Sequence, residues 1–292
     1  MSDKRSLTHE VQRVSGAGVE TVPDQLALEE PLEIQIAFGE PQTRQVKTVA
    51  ITMRTPGNDR ELAAGFLVGE GMLHSLDQLE AVYSRGPHYG DEGFQHSVRV
   101  TLRPGVAIEL ARLERNFYTT SSCGVCGKAS IEALELTNME PLKPAEWKLD
   151  RATICALPAR LREAQAVFDR TGGLHAAGLF TPEGKAVIVR EDVGRHNAVD
   201  KVVGAQFLQG HVPLSQHILV VSGRASFELM QKALAAGIST LIAVGAPSSL
   251  AVEVADRFGA TLIGFTKPTG FNLYTGAQRV RLGTPAAATS VL

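Results

Sequence analysis

The pair Cys123 and Cys126 is the part of the sequence best suited to covalent chemistry. It lies in the run Thr119–Lys128, whose hydroxyl residues and glycines leave the backbone around both thiols open. A helix predicted directly after this run would direct its N-terminus towards the thiols, and Lys128 adds a positive charge. Both effects favour the thiolate, which is the attacking species in sulfur exchange.

Three interpretations of this pair stay open on the residues alone. It is a redox or sulfur-handling pair, half of a zinc site that His175 or His196 joins, or two small buried side chains in a glycine-rich turn. The third cysteine, Cys155, lies in an apolar run and is predicted to be a core residue. Three cysteines in 292 residues are too few for a disulfide framework.

A second polar constellation occupies residues 190–201, between an apolar strand and apolar residues at helical spacing. In α/β proteins such strand-to-helix corners bind ligands at the carboxyl ends of the strands. Arg195 and His196 at the predicted helix start suit a phosphate or a developing anion. The alternative is a capped helix start with salt bridges on its solvated side.

The same design recurs twice further along the chain. Ser222, Gly223 and Arg224 follow a buried strand, and the segment 247–249 opens another helix. Three such corners side by side would form one polyanion site, although ordinary serine N-caps explain each corner alone. A fourth segment leaves the last buried strand and is predicted to be a nucleotide-edge loop, with a surface turn as the alternative. It comprises Phe265, Thr266, Lys267, Pro268, Thr269 and Gly270.

The elements that must position these residues predict an α/β fold. Before residue 145, alternating apolar side chains predict a strand hairpin at 31–38 and 47–54, a helix at 62–69 and a strand at 94–102. After a linker at 137–149, buried strands alternate with helices, which favours an α/β domain whose sheet is at least partly parallel. Its predicted elements are helix 157–168, strand 186–190, strand 217–222, helix 227–236, strand 240–244, helix 250–258 and strand 261–265.

This organisation predicts three parts: a flexible arm at 1–21, an N-terminal α+β domain at 22–145 that carries the cysteine loop, and an α/β domain with a mixed sheet at 146–292. The charge balance of 29 basic and 31 acidic residues gives no nucleic-acid footprint. No apolar stretch approaches the roughly 18 to 20 residues that span a bilayer. We therefore expect a cytoplasmic protein without nucleic-acid or membrane partners.

The motifs of several familiar ligand and metal sites are missing from the sequence, which disfavours those sites. The phosphate loops G-x-x-x-x-G-K-[ST] and G-x-G-x-x-G between a strand and a helix do not occur. A zinc deaminase needs H-x-E before P-C-x-x-C, whereas His196 is followed by Asn197 and Ala198, and the cysteine pair precedes it. We expect no protein-ligated metal.

Four motifs, in order along the chain, carry a resemblance to a known family. They are Arg54–Gly57, Thr119–Gly127, Glu191–Lys201 and Ser222–Arg224. Together they resemble the FdhD/NarQ family, the formate dehydrogenase accessory sulfurtransferases, from about residue 30 to residue 283.

The resemblance implies a sulfur carrier. Such a protein receives sulfane sulfur from a cysteine desulfurase as a persulfide and passes it to the molybdenum of a bis(molybdopterin guanine dinucleotide) cofactor, before insertion into formate dehydrogenase. It implies Cys123 as the persulfide carrier, Cys126 as its assistant and Phe265–Gly270 as the cofactor-contact region. It also implies a homodimer and a second domain similar to cytidine deaminases without their zinc.

Two other classes of function compete with this one. A non-enzymatic chaperone would bind and deliver the molybdenum cofactor, with the thiols only gating or clamping it. A thiol–disulfide oxidoreductase would cycle the pair between dithiol and disulfide, but the thioredoxin-like βαβ context is lacking around residue 123.

Overall fold

The computed structural model of the protein describes residues 5–88, 93–108, 142 and 147–282. The predictions for Cys123, Cys126 and most of the 137–149 linker lie outside the described residues. The described strands are β1 Ser6–Ser15, β2 Gly18–Ala27, β3 Glu30–Phe38, β4 Gln45–Arg54, β5 Leu79–Arg85, β6 Ser97–Leu102, β7 Leu149–Asp150, β8 His175–Phe180, β9 Ala186–Asp192, β10 Ile218–Val221, β11 Thr240–Ala243, β12 Thr261–Lys267, β13 Gly270–Thr275 and β14 Val280–Arg281. The described helices are α1 Asp59–Gly69, α2 Arg151–Glu163, α3 Ala166–Thr171, α4 Arg195–Phe207, α5 Phe227–Ala235 and α6 Ser249–Arg257.

A four-stranded sheet forms in the first half, in the order β4-β3-β6-β5. The alternation in β3 explains its placement, because Leu32, Ile34 and Ile36 are fully buried on one face while the residues between them are partly exposed. β3 pairs antiparallel with β4 and parallel with β6. The predicted hairpin is therefore confirmed.

The second sheet has six strands in the order β13-β12-β11-β10-β8-β9. β10, β11 and β12 are parallel, whereas β8, β9 and β13 run antiparallel to their neighbours. All residues of β10 and β11 are buried, as expected for central strands covered on both faces. The predicted mixed α/β architecture of this half is confirmed.

Helices α1 and α4 pack closely against each other and join the two halves. α1 also contacts β5 and β6, and α4 contacts β8 and β9. The crossing depends on two glycines, because a Cβ on Gly65 would lie 1.9 Å from the Asp200 carbonyl oxygen and one on Gly204 would lie 1.8 Å from that of Glu61. One hydrophobic cluster runs from β3 through both helices to β12.

A second, smaller cluster lies on the opposite face of the six-stranded sheet, under α2. It includes Leu157 and Leu161 of the helix and Phe180, Val220 and Ile263 of the strands. Cys155 on α2 is 9% exposed, which confirms the prediction that it is a core residue.

Two sequence predictions are corrected here. The predicted helix 157–168 is in fact α2 and α3, because α2 already begins after Asp150 and continues through Pro158. The predicted irregular arm at 1–21 contains strand β1 and part of β2, whose ten paired positions include Val11 with Val22. The turn contains Gly18 at a φ of 135°, which only glycine adopts readily, and alternating polar residues on exposed strands disguise the hairpin.

Candidate functional site

One edge of the six-stranded sheet collects the polar corners predicted from the sequence. β10, β11 and β12 end there, β8 begins there, and β9 ends there because it runs antiparallel to β8. Such an edge, at the carboxyl ends of parallel strands, is where α/β sheets bind ligands.

The corner between β9 and α4 holds Arg195 and His196. Arg195 begins α4, and its buried Nε has no hydrogen-bond partner among the described residues. His196 Nε2 lies 3.4 Å from Ser226 Oγ and 3.8 Å from the carboxylate of Glu228, at the start of α5. The nearby His196 lowers the pKa of Glu228 to about 2, so this carboxylate is ionised.

A buried ion pair fixes this corner to the turn after β4. Lys201 Nζ lies 2.7 Å from Asp192 Oδ2, and both side chains are almost fully buried. The Asp192 carboxylate also accepts hydrogen bonds from the backbone N–H groups of Thr55 and Gly194 and from Asn197 Nδ2. Lys201 donates a further bond of 2.8 Å to the Thr55 carbonyl. Two of the motifs behind the family resemblance are thus parts of one network.

The turn itself is anchored by a second buried charge. Arg54 is fully buried and makes a bidentate ion pair with Asp59, with distances of 2.9 and 3.0 Å. Its guanidinium also donates to the carbonyls of Glu30 and Gln95. This fork geometry uses four of the five guanidinium donors, so Arg54 has a structural role beneath the site.

The corner after β10 comprises Ser222, Gly223 and Arg224. Ser222 Oγ accepts a 2.9 Å hydrogen bond from the N–H of Ala176 on β8, so this hydroxyl ties two strands together. Arg224 is exposed. Gly223 accepts at its carbonyl a 3.0 Å bond from the N–H of Gly245, which belongs to the next corner.

The corner after β11 continues the same line of contacts. The Gly245 carbonyl accepts a 3.0 Å hydrogen bond from the N–H of Phe265, so the loops after β10, β11 and β12 touch in sequence. Ser248 caps α6 by accepting a bond from the N–H of Ala251. The ordinary N-cap interpretation of the segment 247–249 therefore holds for Ser248.

Four residues of the segment Phe265–Gly270 line an open depression of about 430 Å³ together with Phe271 and Asn272; they are Phe265, Lys267, Thr269 and Gly270. The segment is a tight hairpin rather than a loop, because β12 continues to Lys267 and β13 begins at Gly270. The predicted loop is corrected in this respect. Pro268 is exposed and is not among the lining residues. A bulge between Gly264 and Lys267 displaces the strand there and hides its strand character from the sequence.

Two residues of this hairpin behave differently from each other. Phe265 has a φ of 51°, a left-handed conformation that is costly for an aromatic residue, and its side chain is 44% exposed. The side chain of Thr266 instead is 2% exposed and donates to the carbonyl of Ala243. The strained backbone thus turns the Phe265 ring outwards. Thr266 instead faces the sheet interior, where its hydroxyl stabilises the contact with β11.

His175, which the sequence suggested only as a possible zinc ligand, lies between the first two corners. It begins β8 and pairs with Asp192 of β9. Its Nδ1 lies 3.5 Å from the position of a Cβ added to Gly223. Burial, and then the charges of Arg195 and His196, lower the pKa of His175, although Asp192 opposes the shift.

The predicted cofactor-binding residues thus lie along one edge, but the relation of the cysteine pair to them lies outside the described residues. Within the described ranges, no group of three or more His, Cys, Asp or Glu side chains could hold a metal ion. In that same part of the chain, no helix combines the length and apolar character needed to cross a bilayer.

Comparisons with known proteins converge on one family. A profile of the FdhD/NarQ family matches residues 27–281. The sulfur carrier protein FdhD of Streptomyces avermitilis is 51% identical over 281 residues, which cover 95% of this chain and 96% of that protein. The protein of the same name from Mycobacterium tuberculosis is 49% identical, covering 92% and 96%. That of Saccharolobus solfataricus is 39% identical, covering 88% and 91%.

A solved structure shares the fold. It is a candidate formate dehydrogenase accessory protein from Desulfotalea psychrophila, which superimposes with a TM-score of 0.70 at 23% identity. The match covers 94% of this chain and 99% of that one. The arrangement of mixed sheets described above is therefore that of a known architecture.

Proposed function

The chain belongs to the FdhD/NarQ family, and from this premise we propose that it is a sulfur carrier of formate dehydrogenase maturation. It takes sulfane sulfur from a cysteine desulfurase as a persulfide on Cys123. It then delivers the sulfur to the molybdenum of a bis(molybdopterin guanine dinucleotide) cofactor, which is its substrate, before insertion into formate dehydrogenase.

The observation that carries this proposal is similarity at 51% identity across 95% of the chain to a protein named a sulfur carrier. The cofactor half of the proposal is supported by the sheet edge. There the cationic side chains of Arg195 and Arg224 lie along the same edge of the sheet as the depression lined by Phe265 and Lys267. Positive side chains suit pyrophosphate, and an outward aromatic ring suits a guanine base.

Sulfur is loaded onto Cys123 by a thiol exchange. The Cys123 thiolate attacks the terminal sulfur of the desulfurase persulfide, forming a new S–S bond while the desulfurase cysteine leaves as a thiolate. For delivery, the Cys126 thiolate attacks the inner sulfur of the Cys123 persulfide. Hydrosulfide leaves for the molybdenum, and a Cys123–Cys126 disulfide remains until a cellular thiol reductant restores the dithiol.

The proposal extends to the location, the oligomeric state and the domains of the protein. The protein acts in the cytoplasm as a homodimer, with domains at 22–145 and 146–292, and the second domain is related to cytidine deaminases. A six-stranded mixed sheet flanked by helices on both faces is compatible with that relation.

The alternative is a chaperone that binds and delivers the cofactor without carrying sulfur. It uses the same sheet edge, so cofactor binding does not separate the two functions. The two functions differ in whether a thiol must carry sulfur, and this requirement separates them.

We expect the Cys123→Ala variant to restore no formate dehydrogenase activity in a bacterial strain that lacks its own accessory protein, because no persulfide forms. The native chain should restore activity, and Cys155→Ala should do so nearly as well, since Cys155 is a buried residue of α2 that has no part in the proposed transfer. Activity in the Cys123→Ala strain, at the native level and with equal protein abundance, would favour the chaperone instead.

A further inference from the structure

The hairpin formed by β1 and β2 is an element that the family assignment does not account for. Its strands pair at ten positions, from Ser6 with Ala27 to Ser15 with Gly18. The family profile begins only at residue 27, where the hairpin ends. A hairpin of two strands is at best marginally stable in water unless a further surface packs against it. The hairpin therefore needs a packing partner along its length.

The two faces of the hairpin differ in what they meet. Residues that lie opposite each other on paired strands share a face, and the faces alternate along each strand. Ala27 lies on the inner face, at the base of the hairpin, where its Cβ would be 3.4 Å from a Cβ added to Gly173 after α3. The outer face carries four cross-strand pairs whose side chains are all exposed or partly exposed: Leu7–Leu26, His9–Asp24, Val11–Val22 and Arg13–Glu20.

The outer face alternates apolar pairs with pairs of opposite charge. Its basic side chains, His9 and Arg13, both belong to β1, whereas its acidic side chains, Glu20 and Asp24, both belong to β2. Within one hairpin the Arg13 guanidinium and the Glu20 carboxylate are 4.0 Å apart, and both side chains are more than half exposed. Such an exposed contact contributes little, so both charges are available to a partner.

This pattern is complementary to itself when a two-fold axis runs along the strands. Rotation about such an axis lays β1 of one copy over β2 of the other and keeps every position along the hairpin. Each pair then faces itself with its two members exchanged, so basic side chains face acidic ones and aliphatic side chains face aliphatic ones. A two-fold axis across the strands gives no such match, because charged pairs would face apolar pairs or like charges would face each other.

We propose that the outer face of the hairpin packs against the same face of a second copy of this chain. The inference rests on the homodimer included in the proposed function, and it does not depend on sulfur transfer. Because the inner face is turned to the body of its own chain, each body lies behind its own hairpin. The face is about 33 Å long, since each of its ten positions adds about 3.3 Å. It is smaller than the roughly 800 Å² that each partner buries in a standard interface, so we expect association in the micromolar range.

Charge reversal tests this geometry, with the dimer dissociation constant of the full chain measured by sedimentation at low salt in a thiol reductant. Arg13→Glu places a glutamate over the partner's Glu20, and Glu20→Arg places an arginine over the partner's Arg13. We expect each single variant to raise the dissociation constant at least about tenfold, because like charges then face each other twice in every dimer. An equimolar mixture of the two variants should associate as tightly as the native chain, because contacts between the unlike chains join opposite charges.

Two controls separate contact between chains from damage within one chain. The double variant Arg13→Glu/Glu20→Arg restores opposite charges within and between chains, and it should dimerise like the native chain. Glu10→Arg reverses an exposed charge on the inner face and should leave the dissociation constant unchanged. If like charges merely frayed the hairpin of each chain, the mixture of single variants would stay dissociated, and that result would overturn the inference.

The remaining outcomes distinguish this inference from the proposed function. A dimer whose dissociation constant is the same for the native chain and Arg13→Glu would overturn the inference and leave the homodimer standing. A native chain that stays monomeric well above micromolar concentration would contradict both. Sulfur loading of Cys123 is measured separately by mass, so it reports on the sulfur carrier whichever of these results is found.

Discussion

The Lys201→Met variant is expected to lose about 3–5 kcal/mol of unfolding free energy, the usual cost of breaking a buried ion pair by removing one partner. Methionine fills much of the space of the lysine stem, so the loss comes from charge rather than from a cavity. The carboxylate of Asp192 keeps its bonds to Thr55, Gly194 and Asn197 but loses its only cation among the described residues. Urea unfolding at pH 7 measures the loss.

Two further variants separate the pair from a general effect of losing a lysine. Lys185→Met removes an exposed lysine and should change stability by less than about 0.5 kcal/mol. The double variant Asp192→Asn/Lys201→Met should lose less unfolding free energy than the two single variants lose together. The reason is that neither side chain is then left as an unpaired buried charge. Simple additivity in this cycle would contradict the ion pair as the source of the loss.

The Lys232→Met variant should show a stability loss that grows with pH. Lys232 on α5 lies 2.8 Å from Asp200 on α4 and 3.8 Å from Glu70 after α1, so three segments meet at one buried ammonium. Its Nζ also lies 5.3 Å from the centre of the Phe66 ring. Removal leaves the Asp200 carboxylate fully buried without its counterion.

The pH dependence follows from Asp200. Burial raises its pKa from 3.8 to about 6, although the charge of Lys232 opposes the rise. A carboxyl whose folded pKa exceeds its unfolded value contributes stability below the unfolded pKa and loses it as the pH rises through the folded pKa. Without Lys232 the folded pKa of Asp200 rises further, so this loss extends above pH 6.

We therefore expect Lys232→Met to lie closest to the native stability at pH 5 and to lose about 3–5 kcal/mol at pH 8. Urea unfolding at pH 5, 6, 7 and 8 measures the trend. In the double variant Asp200→Asn/Lys232→Met the titrating carboxyl is gone, so the growth of the loss with pH should disappear. A single-variant loss that is constant across this range would show that Asp200 does not titrate there.

Much of the sheet order follows from patterns in the sequence, and the exceptions have physical causes. The apolar run of β10 and the alternation of β3 predict their burial directly. Strand β8 is not predicted from the sequence, because Ala176, Ala177 and Gly178 have low strand propensity. The structure requires the glycine at 178, since a Cβ there would lie 2.6 Å from the Phe180 ring and 2.9 Å from Leu161 of α2.

The sequence indicates which residues belong to the site, but it does not indicate which side chains they contact. Arg195 and His196 are indicated by their place between a strand and a helix. The pairing of Lys201 with Asp192 is not indicated, because a helix residue nine positions away meets a strand end only through the fold. The position of His175 at this edge likewise depends on β8 running antiparallel to β10, which no local pattern reveals.

The intact mass of the protein tests most directly whether Cys123 carries sulfur. The native chain, Cys123→Ala and Cys126→Ala are each incubated with a cysteine desulfurase and cysteine, then weighed before and after treatment with a thiol reductant. We expect the native chain to gain about one sulfur atom, reversibly, and Cys123→Ala to gain none. No gain by the native chain, or an equal gain by Cys123→Ala, would contradict the sulfur-carrier function proposed for this residue.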